Sequence, residues 1–333
     1  MGSVRWGVMS TAWIAVDIVV PSMQKSAMID VVAIASRDLA RAKVAAEARG
    51  IPVAYGSYEE LLAAPDVDAV YIPLPNSEHV RWAVRALEAG KHVLCEKPIA
   101  MDAEEARTLL KAARAHPHLK VMEALMYRFH PQWQQALRQV RGGALGELRT
   151  VHSFFSYFNR RPDNIRNRPD LGGGGLLDIG SYNVSVARFL FGTEPRRVVA
   201  TVEFDPDFRV DRLASAILDF GPAGTATFTC GTQLEAFQRV LAVGTQGLLE
   251  IEIPFNPPLG GPTSTVLERG NETTSMVFDR ADHYTLQGEA MSRAILDDTP
   301  VPTPLEDAVA NMEVLDAVFR SAEVGTWVEV GPG

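Results

Sequence analysis

Two short stretches of the 333-residue chain combine side-chain types that move protons. The first is Glu96-Lys97-Pro98, directly after the apolar run Val93-Leu94-Cys95. A lysine at the end of a buried strand is costly unless it is paired or used, and Pro98 would aim it from a stiff turn. The second is Gly172-Gly173-Gly174-Gly175-Leu176-Leu177-Asp178-Ile179-Gly180-Ser181-Tyr182. Glycines let the backbone approach another body closely, and the helix that follows puts Asp178 and Tyr182 one turn apart on one face. A free tyrosine titrates near pH ~10. On a helix facing a cleft, a carboxylate and a phenol at that spacing form a candidate proton-transfer pair. Spacing alone leaves plainer readings open: Lys97 on the surface paired with Glu96, and Tyr182 packed in a core beneath a capped helix.

The elements that must hold these groups follow from pattern. Strands are expected at 4–9, 31–35, 52–54, 69–72, 92–95 and 120–122, with helices at 14–25, 39–49, 58–64, 79–89 and 102–115 between them. Asp38 and Ser57 stand at helix starts, and Gly50 and Gly90 at stops. This alternation predicts a parallel sheet covered on both faces. Its ligands bind beyond the carboxyl ends of the strands, which here are 10–14, 36–37, 73–76, 96–98 and 123–128. Beyond residue 122 the pattern changes. A β-rich stretch at 146–158 and a helix at 176–191 precede strands at 197–204, 213–220, 225–230, 239–243 and 248–253, and helices at 284–296 and 305–322 close the chain. Consecutive strands predict an antiparallel sheet.

Composition narrows the class. Hydrophobic residues at 47% and charged residues at 22% make a folded globular chain and exclude global disorder. No apolar run is long enough for a membrane span, and Met1-Gly2-Ser3-Val4-Arg5-Trp6 leads into no signal region, so a cytoplasmic location is expected. A net charge of -9 argues against a nucleic-acid partner. One local arginine or helix N-terminus still suffices for an anionic cofactor. Cys95 and Cys230 are far apart without a C-x-x-C, and the histidines lack H-E-x-x-H spacing, so neither a disulfide framework nor a metal site is expected.

A dinucleotide fold commonly carries G-x-G-x-x-G after its first strand. Here the stretch is Ser10-Thr11-Ala12-Trp13-Ile14-Ala15, with small residues at all three glycine positions. Such a turn serves if it avoids positive φ. At the end of the second strand, where NAD enzymes commonly place a carboxylate for the ribose 2′-hydroxyl, stands Ser36-Arg37. A guanidinium there suits a 2′-phosphate, so NADP is the expected cofactor, with NAD admissible. Asp38 reads as a helix cap, and a solvated-loop role for Arg37 stays open.

Together with Arg5-Trp6-Gly7-Val8-Met9-Ser10-Thr11-Ala12, these stretches resemble the glucose–fructose oxidoreductase / inositol dehydrogenase (Gfo/Idh/MocA) family. The likeness is to its D-xylose dehydrogenase and dimeric dihydrodiol dehydrogenase branch. Glu123-Ala124-Leu125-Met126-Tyr127-Arg128-Phe129-His130-Pro131, Pro73-Leu74-Pro75-Asn76-x-x-His79 and Ser36-Arg37 are similar to the same branch. The resemblance implies a dinucleotide-binding Rossmann domain over 1–122. It implies a substrate-binding α+β domain over 123–333, whose open, mainly antiparallel sheet joins subunits into a homodimer or higher oligomer. It implies Lys97 and Tyr182 as the catalytic pair, with Asp178 orienting substrate or supporting proton transfer. Cofactor contacts are implied for Ser10, Thr11, Ala12, Trp13, Ile14, Ser36, Arg37, Leu74, Pro75, Asn76, His79, Glu96, Lys97 and Pro98. Glu123, Arg166 and Tyr284 join Asp178 and Tyr182 as candidates for the substrate site. The implied activity is NADP-dependent hydride transfer between nicotinamide and a sugar or polyol. Rivals are a ketoreductase on a nucleotide-linked sugar, a dihydrodiol dehydrogenase and, in another class, a non-catalytic NADP-binding regulator, against which the intact Lys97 and Tyr182 argue.

Overall fold

The computed structural model describes residues 2–331. The chain forms two compact units, Met1–Met126 with Asp282–Val309, and Tyr127–Ala281 with Ala310–Gly333.

In the first unit, β1 (Val4–Met9), β2 (Ile29–Ala35), β3 (Val53–Tyr55), β4 (Ala69–Ile72), β5 (His92–Glu96) and β6 (Val121–Ala124) form one sheet in the order β3-β2-β1-β4-β5-β6. Every pairing is parallel. Such strands are buried on both faces and read as continuous apolar runs; all of β4 is buried. The order reverses where β1 lies between β2 and β4, and ligands of these sheets bind beyond the carboxyl ends at that point. Asp38 and Ser57 start their helices as expected, their side chains accepting first-turn N–H groups at Leu39–Arg49 and Tyr58–Ala63, and Asp102 does the same for Ala103–Ala115. The helix expected at 14–25 is instead a π-type turn, Ile14–Val19, followed by a short α segment, Val20–Met23. Pro21 has no N–H to donate back along the helix, which disrupts the regular ladder there. The helix His283–Leu296 belongs to this unit, where Ser292 Oγ accepts the buried Trp6 indole N–H at 3.1 Å.

The second unit is built on β7 (Leu148–Phe158), β8 (Arg197–Phe204), β9 (Asp211–Asp219), β10 (Thr225–Gly231), β11 (Gln233–Gly244), β12 (Leu248–Ile251), β13 (Thr263–Arg269), β14 (Glu272–Phe278) and β15 (Val328–Glu329). Their order is β14-β13-β12-β11-β7-β10-β9-β8-β15. Only the β10–β7 pairing is parallel, so the sheet is mainly antiparallel as expected. The helix Ser181–Phe191 packs on one face, against β7 and β10. The opposite face is a shallow hollow of about 610 Å³, lined by His152, Phe154, Ile217, Thr227, Phe237 and Arg239 among others. Four of the elements named here were not anticipated by pattern: the helix Pro131–Arg141, the hairpin of β13 and β14, and the two-residue β15.

Candidate active site

The residues expected to meet the cofactor occupy the carboxyl ends of the first unit's strands. Leaving β1, the chain turns at Ser10 with φ of 154°. The condition set for a glycine-free turn, that it avoid positive φ, is thus not met at Ser10. The backbone does enter the region glycine reaches most cheaply, and the serine side chain holds it there: Ser10 Oγ accepts Ala12 N–H at 2.9 Å. Trp13 and Ile14 open the following turn, with the Trp13 side chain 68% exposed. At the end of β2, buried Ser36 accepts Asp38 N–H at 3.2 Å. Asp38 in turn accepts Ala40 N–H at 2.9 Å and Arg41 N–H at 3.3 Å, so its carboxylate is committed to the helix. Arg37 is exposed. Burial pushes the nearby Tyr58 phenol up, while the Arg37 charge and the Ser10 hydroxyl pull it back. Arg37, Ser10 and Tyr58 thus share one locality, and Tyr58 was not among the expected residues because within its helix it reads as an ordinary core aromatic. An exposed guanidinium flanked by hydroxyls, with the adjacent carboxylate committed elsewhere, fits a 2′-phosphorylated dinucleotide.

The next two strand ends are tied together. His79 is fully buried, with Nδ1 2.8 Å from Pro98 O and Nε2 2.8 Å from Leu74 O. Burial pushes its imidazole down to about 4; the two carbonyls oppose this and the Lys97 charge adds to it. The ring is therefore neutral at pH near ~7 and donates to one of the two carbonyls. It joins the Leu74-Pro75-Asn76 loop to the loop of Lys97 and Pro98, whose peptide bond is cis. Tyr71 OH donates to Glu96 Oε1 at 2.6 Å, and Lys97 N–H donates to Glu96 Oε2 at 3.3 Å. Glu123, at 2% exposure, accepts Ile99 N–H at 2.8 Å, which braces the same loop. Burial raises the phenol of Tyr284, in the first turn of His283–Leu296, and the Glu96 charge raises it further. Tyr71 carried no signal in the sequence, because in a fully buried strand it reads as one more packing residue.

In the second unit, the glycine run and the segment before it build one cluster. A Cβ on Gly173 would stand 2.5 Å from Arg166 O. Gly173 N–H and Gly174 N–H donate to Arg168 O and Arg166 O, each at 2.9 Å. This staple brings Arg166 to the helix: Arg166 Nε donates to Asp178 Oδ2 at 2.8 Å, and Tyr157 OH donates to the same oxygen at 2.6 Å. The Asp178 charge holds the guanidinium further up, and burial followed by that charge holds the Tyr157 phenol up. Asp178 lies in a π-type turn, Leu176–Gly180, that leads into Ser181–Phe191. Such turns are frequent at functional sites. Tyr182 is 5% exposed, its ring 5.4 Å from Phe255, 5.8 Å from Phe155 and 5.9 Å from Tyr127. It lies close enough to Arg166 for its charge to act on the guanidinium. The arrangement offers a phenol beside a neutralised ion pair, with donors and acceptors suited to hydroxyl groups. Tyr157 was missed because a tyrosine in a β-rich stretch has no distinguishing spacing.

Among the described residues, no group of three or more His, Cys, Asp or Glu side chains is placed to hold a metal ion. No helix among them is long and apolar enough to cross a membrane.

Residues 4–124 match the model of an oxidoreductase family with an NAD-binding Rossmann fold, and residues 133–250 match the GFO/IDH/MocA C-terminal domain. The chain is 44% identical over 335 residues to an uncharacterised oxidoreductase of Rhizobium meliloti, covering 99% of this chain and 100% of that one. It is 40% identical over 329 residues to the D-xylose 1-dehydrogenase (NADP(+)) 2 of Haloferax volcanii, covering 98% and 99%. Among solved structures, a 3-ketoreductase from Actinomadura kijaniata in complex with NADP and TDP-benzene matches with a TM-score of 0.90 at 33% identity, covering 96% and 98%.

Proposed function

Because the chain belongs to the GFO/IDH/MocA oxidoreductase family, we propose that it is an NADP-dependent dehydrogenase of a neutral sugar or polyol, with Lys97 and Tyr182 as its catalytic residues. The nicotinamide, when bound, supplies or accepts the hydride. Tyr182 exchanges the hydroxyl proton, and Lys97 lends the charge that makes the phenolate accessible. General acid–base help of this kind is worth roughly 10²–10⁴-fold. Arg166 and Asp178 orient substrate hydroxyls as a neutral pair, and Arg37 receives the 2′-phosphate.

The observation that carries the choice of a neutral substrate is charge neutralisation along the segment 160–170, whose Arg166 reaches Asp178 and lies near Tyr182. Arg160, Arg161, Arg166 and Arg168 each have a carboxylate partner, Asp207 at 2.7 Å, Asp163 at 2.8 Å, Asp178 at 2.8 Å and Asp170 at 2.7 Å. A diphosphate is best recognised by guanidinium groups not already engaged by carboxylates. The likeness to a D-xylose 1-dehydrogenase supports the same choice. The likeness to a 3-ketoreductase solved with a nucleotide analogue is the reason to test the alternative.

The experiment is a screen for NADP+ reduction or NADPH oxidation across aldoses, polyols, dihydrodiols and nucleotide-linked keto sugars. Turnover on free sugars is expected. Turnover confined to nucleotide-linked sugars would overturn the substrate assignment, and cofactor binding without turnover on any class would favour the regulator. The reading includes a cytoplasmic enzyme whose first unit binds cofactor and whose second binds substrate. It also includes a homodimer formed through the open face of the nine-stranded sheet.

A further inference from the structure

Asp211, the first residue of β9, is 2% exposed, and its carboxylate lies at the start of the helical segment that carries Asp178 and Tyr182. Asp211 Oδ2 accepts Leu176 N–H at 2.6 Å, and Gly175 N–H also bonds to the carboxylate. The other oxygen rests against Gly174. That residue has φ of 119°, and a Cβ on it would stand 2.0 Å from Asp211 Oδ1. The glycine at this position is thus required twice, by backbone conformation and by the carboxylate it admits.

A buried carboxylate is expensive, and an apolar residue of similar size would cost less. Asp211 offsets part of that cost by accepting N–H groups at a helix start, where donors lack intrahelical partners and negative charge is favoured. These contacts join two elements far apart in sequence, and they fall on the π-type turn that determines how Asp178 and Tyr182 are presented. We propose that Asp211 is a positioning residue that pins the first turn of this helix and thereby sets the placement of Tyr182 and Asp178 for proton transfer. The catalytic part of this proposal rests on the reading of Tyr182 given above; the pin itself does not.

Burial pushes the Asp211 carboxyl up to about 6, with the Leu176 N–H group the first of the backbone bonds that oppose it and the Asp178 charge adding to the rise. The pin is therefore mostly ionised at neutral pH and loses its charge on mild acidification. Tyr157 on β7 and Cys230 on β10 both feel the Asp211 charge, and both are pushed up by burial and so protonated through this range.

The test uses the full-length protein as wild type and as Asp211→Asn, which keeps side-chain size. Amide hydrogen exchange over residues 175–182 should quicken about ten-fold or more in the variant, with the sheet still protected. Unchanged exchange there would overturn the pin. The variant's kcat should fall by about ten- to a hundred-fold, because small misplacements of a reacting group are costly. Substrate KM and the NADPH Kd, read by cofactor fluorescence, should stay within about two-fold of wild type, since the loss belongs to the transition state. Unchanged kcat, or an equal loss in cofactor binding, would overturn the positioning role. In the wild type, exchange protection at 175–182, with intrinsic rates divided out, should fall as pH is lowered through about 6; a flat profile would overturn the pin even if the variant does not fold. If Tyr182→Phe keeps full activity while the exchange results hold, the catalytic reading fails and the pin stands.

Discussion

Asp178 Oδ2 is shared by two donors, Arg166 Nε at 2.8 Å and Tyr157 OH at 2.6 Å. A carboxylate so engaged is a fixed acceptor. Taking up a substrate proton there would weaken both charge-assisted bonds. The relationship favours Tyr182 over Asp178 as the group that exchanges the proton, although both lie on the same helical segment.

Tyr182→Phe should lower kcat by about 10²–10⁴-fold while the cofactor still binds. Lys97→Met should do similar damage, and the double variant should lose no more than the worse single one, because on the proposed reading the two groups serve one step. Steady-state kinetics with NADPH titration checks this. Wild-type turnover in Tyr182→Phe would return that residue to a packing role among Phe155, Phe255 and Tyr127.

Arg37→Ala should weaken NADP(H) binding by roughly 1.5–3 kcal/mol, the range for a bond to a charged group, and leave NAD(H) nearly unchanged. Titration of both cofactors decides it. Equal losses would mean that Arg37 acts through the turn rather than on the 2′-phosphate.

Light scattering should return a mass of a dimer or more of the 36.3 kDa chain. Ile217 at 41% exposure and Phe237 at 47% lie on the open sheet face, and a sheet face with exposed apolar side chains marks an interaction site. Ile217→Asp or Phe237→Asp should shift the mass toward one chain without unfolding it. A monomeric wild type would refute the assembly.

Acid stability should depend on Asp68. Its carboxylate takes Arg5 Nη2 at 2.6 Å, Nε at 3.0 Å and the Arg5 backbone N–H at 2.9 Å. The Arg5 hydrogen bond holds the carboxyl below its ordinary value. Because the folded value is the lower one, this contribution is complete above the unfolded carboxylate range near ~4. It is lost as pH falls through the folded value. Asp68→Asn should therefore cost stability at neutral pH and much less in acid, measured by denaturant melts at both.

The sequence by itself determined what local physics controls. Alternating strand and helix signals define the parallel sheet, Asp38, Ser57 and Asp102 start their helices, and Lys97 stands just beyond a strand end. The helix Pro131–Arg141 was not anticipated, although Pro131 at its first position is a start signal and Trp133 and Ala136 are buried. Nor was the hairpin of β13 and β14, because β14 is largely exposed and shows no apolar alternation. Only the tertiary structure decided that Asp282–Val309 packs with the first unit. It alone decided that Tyr71 serves Glu96, that Tyr157 and Arg166 converge on Asp178, and that Asp211 reaches Leu176. Most of these partners meet across wide sequence separations, and a hydrogen bond between distant residues leaves no periodicity or composition in either segment. The pairings exist because burying one polar group obliges the fold to bring it another.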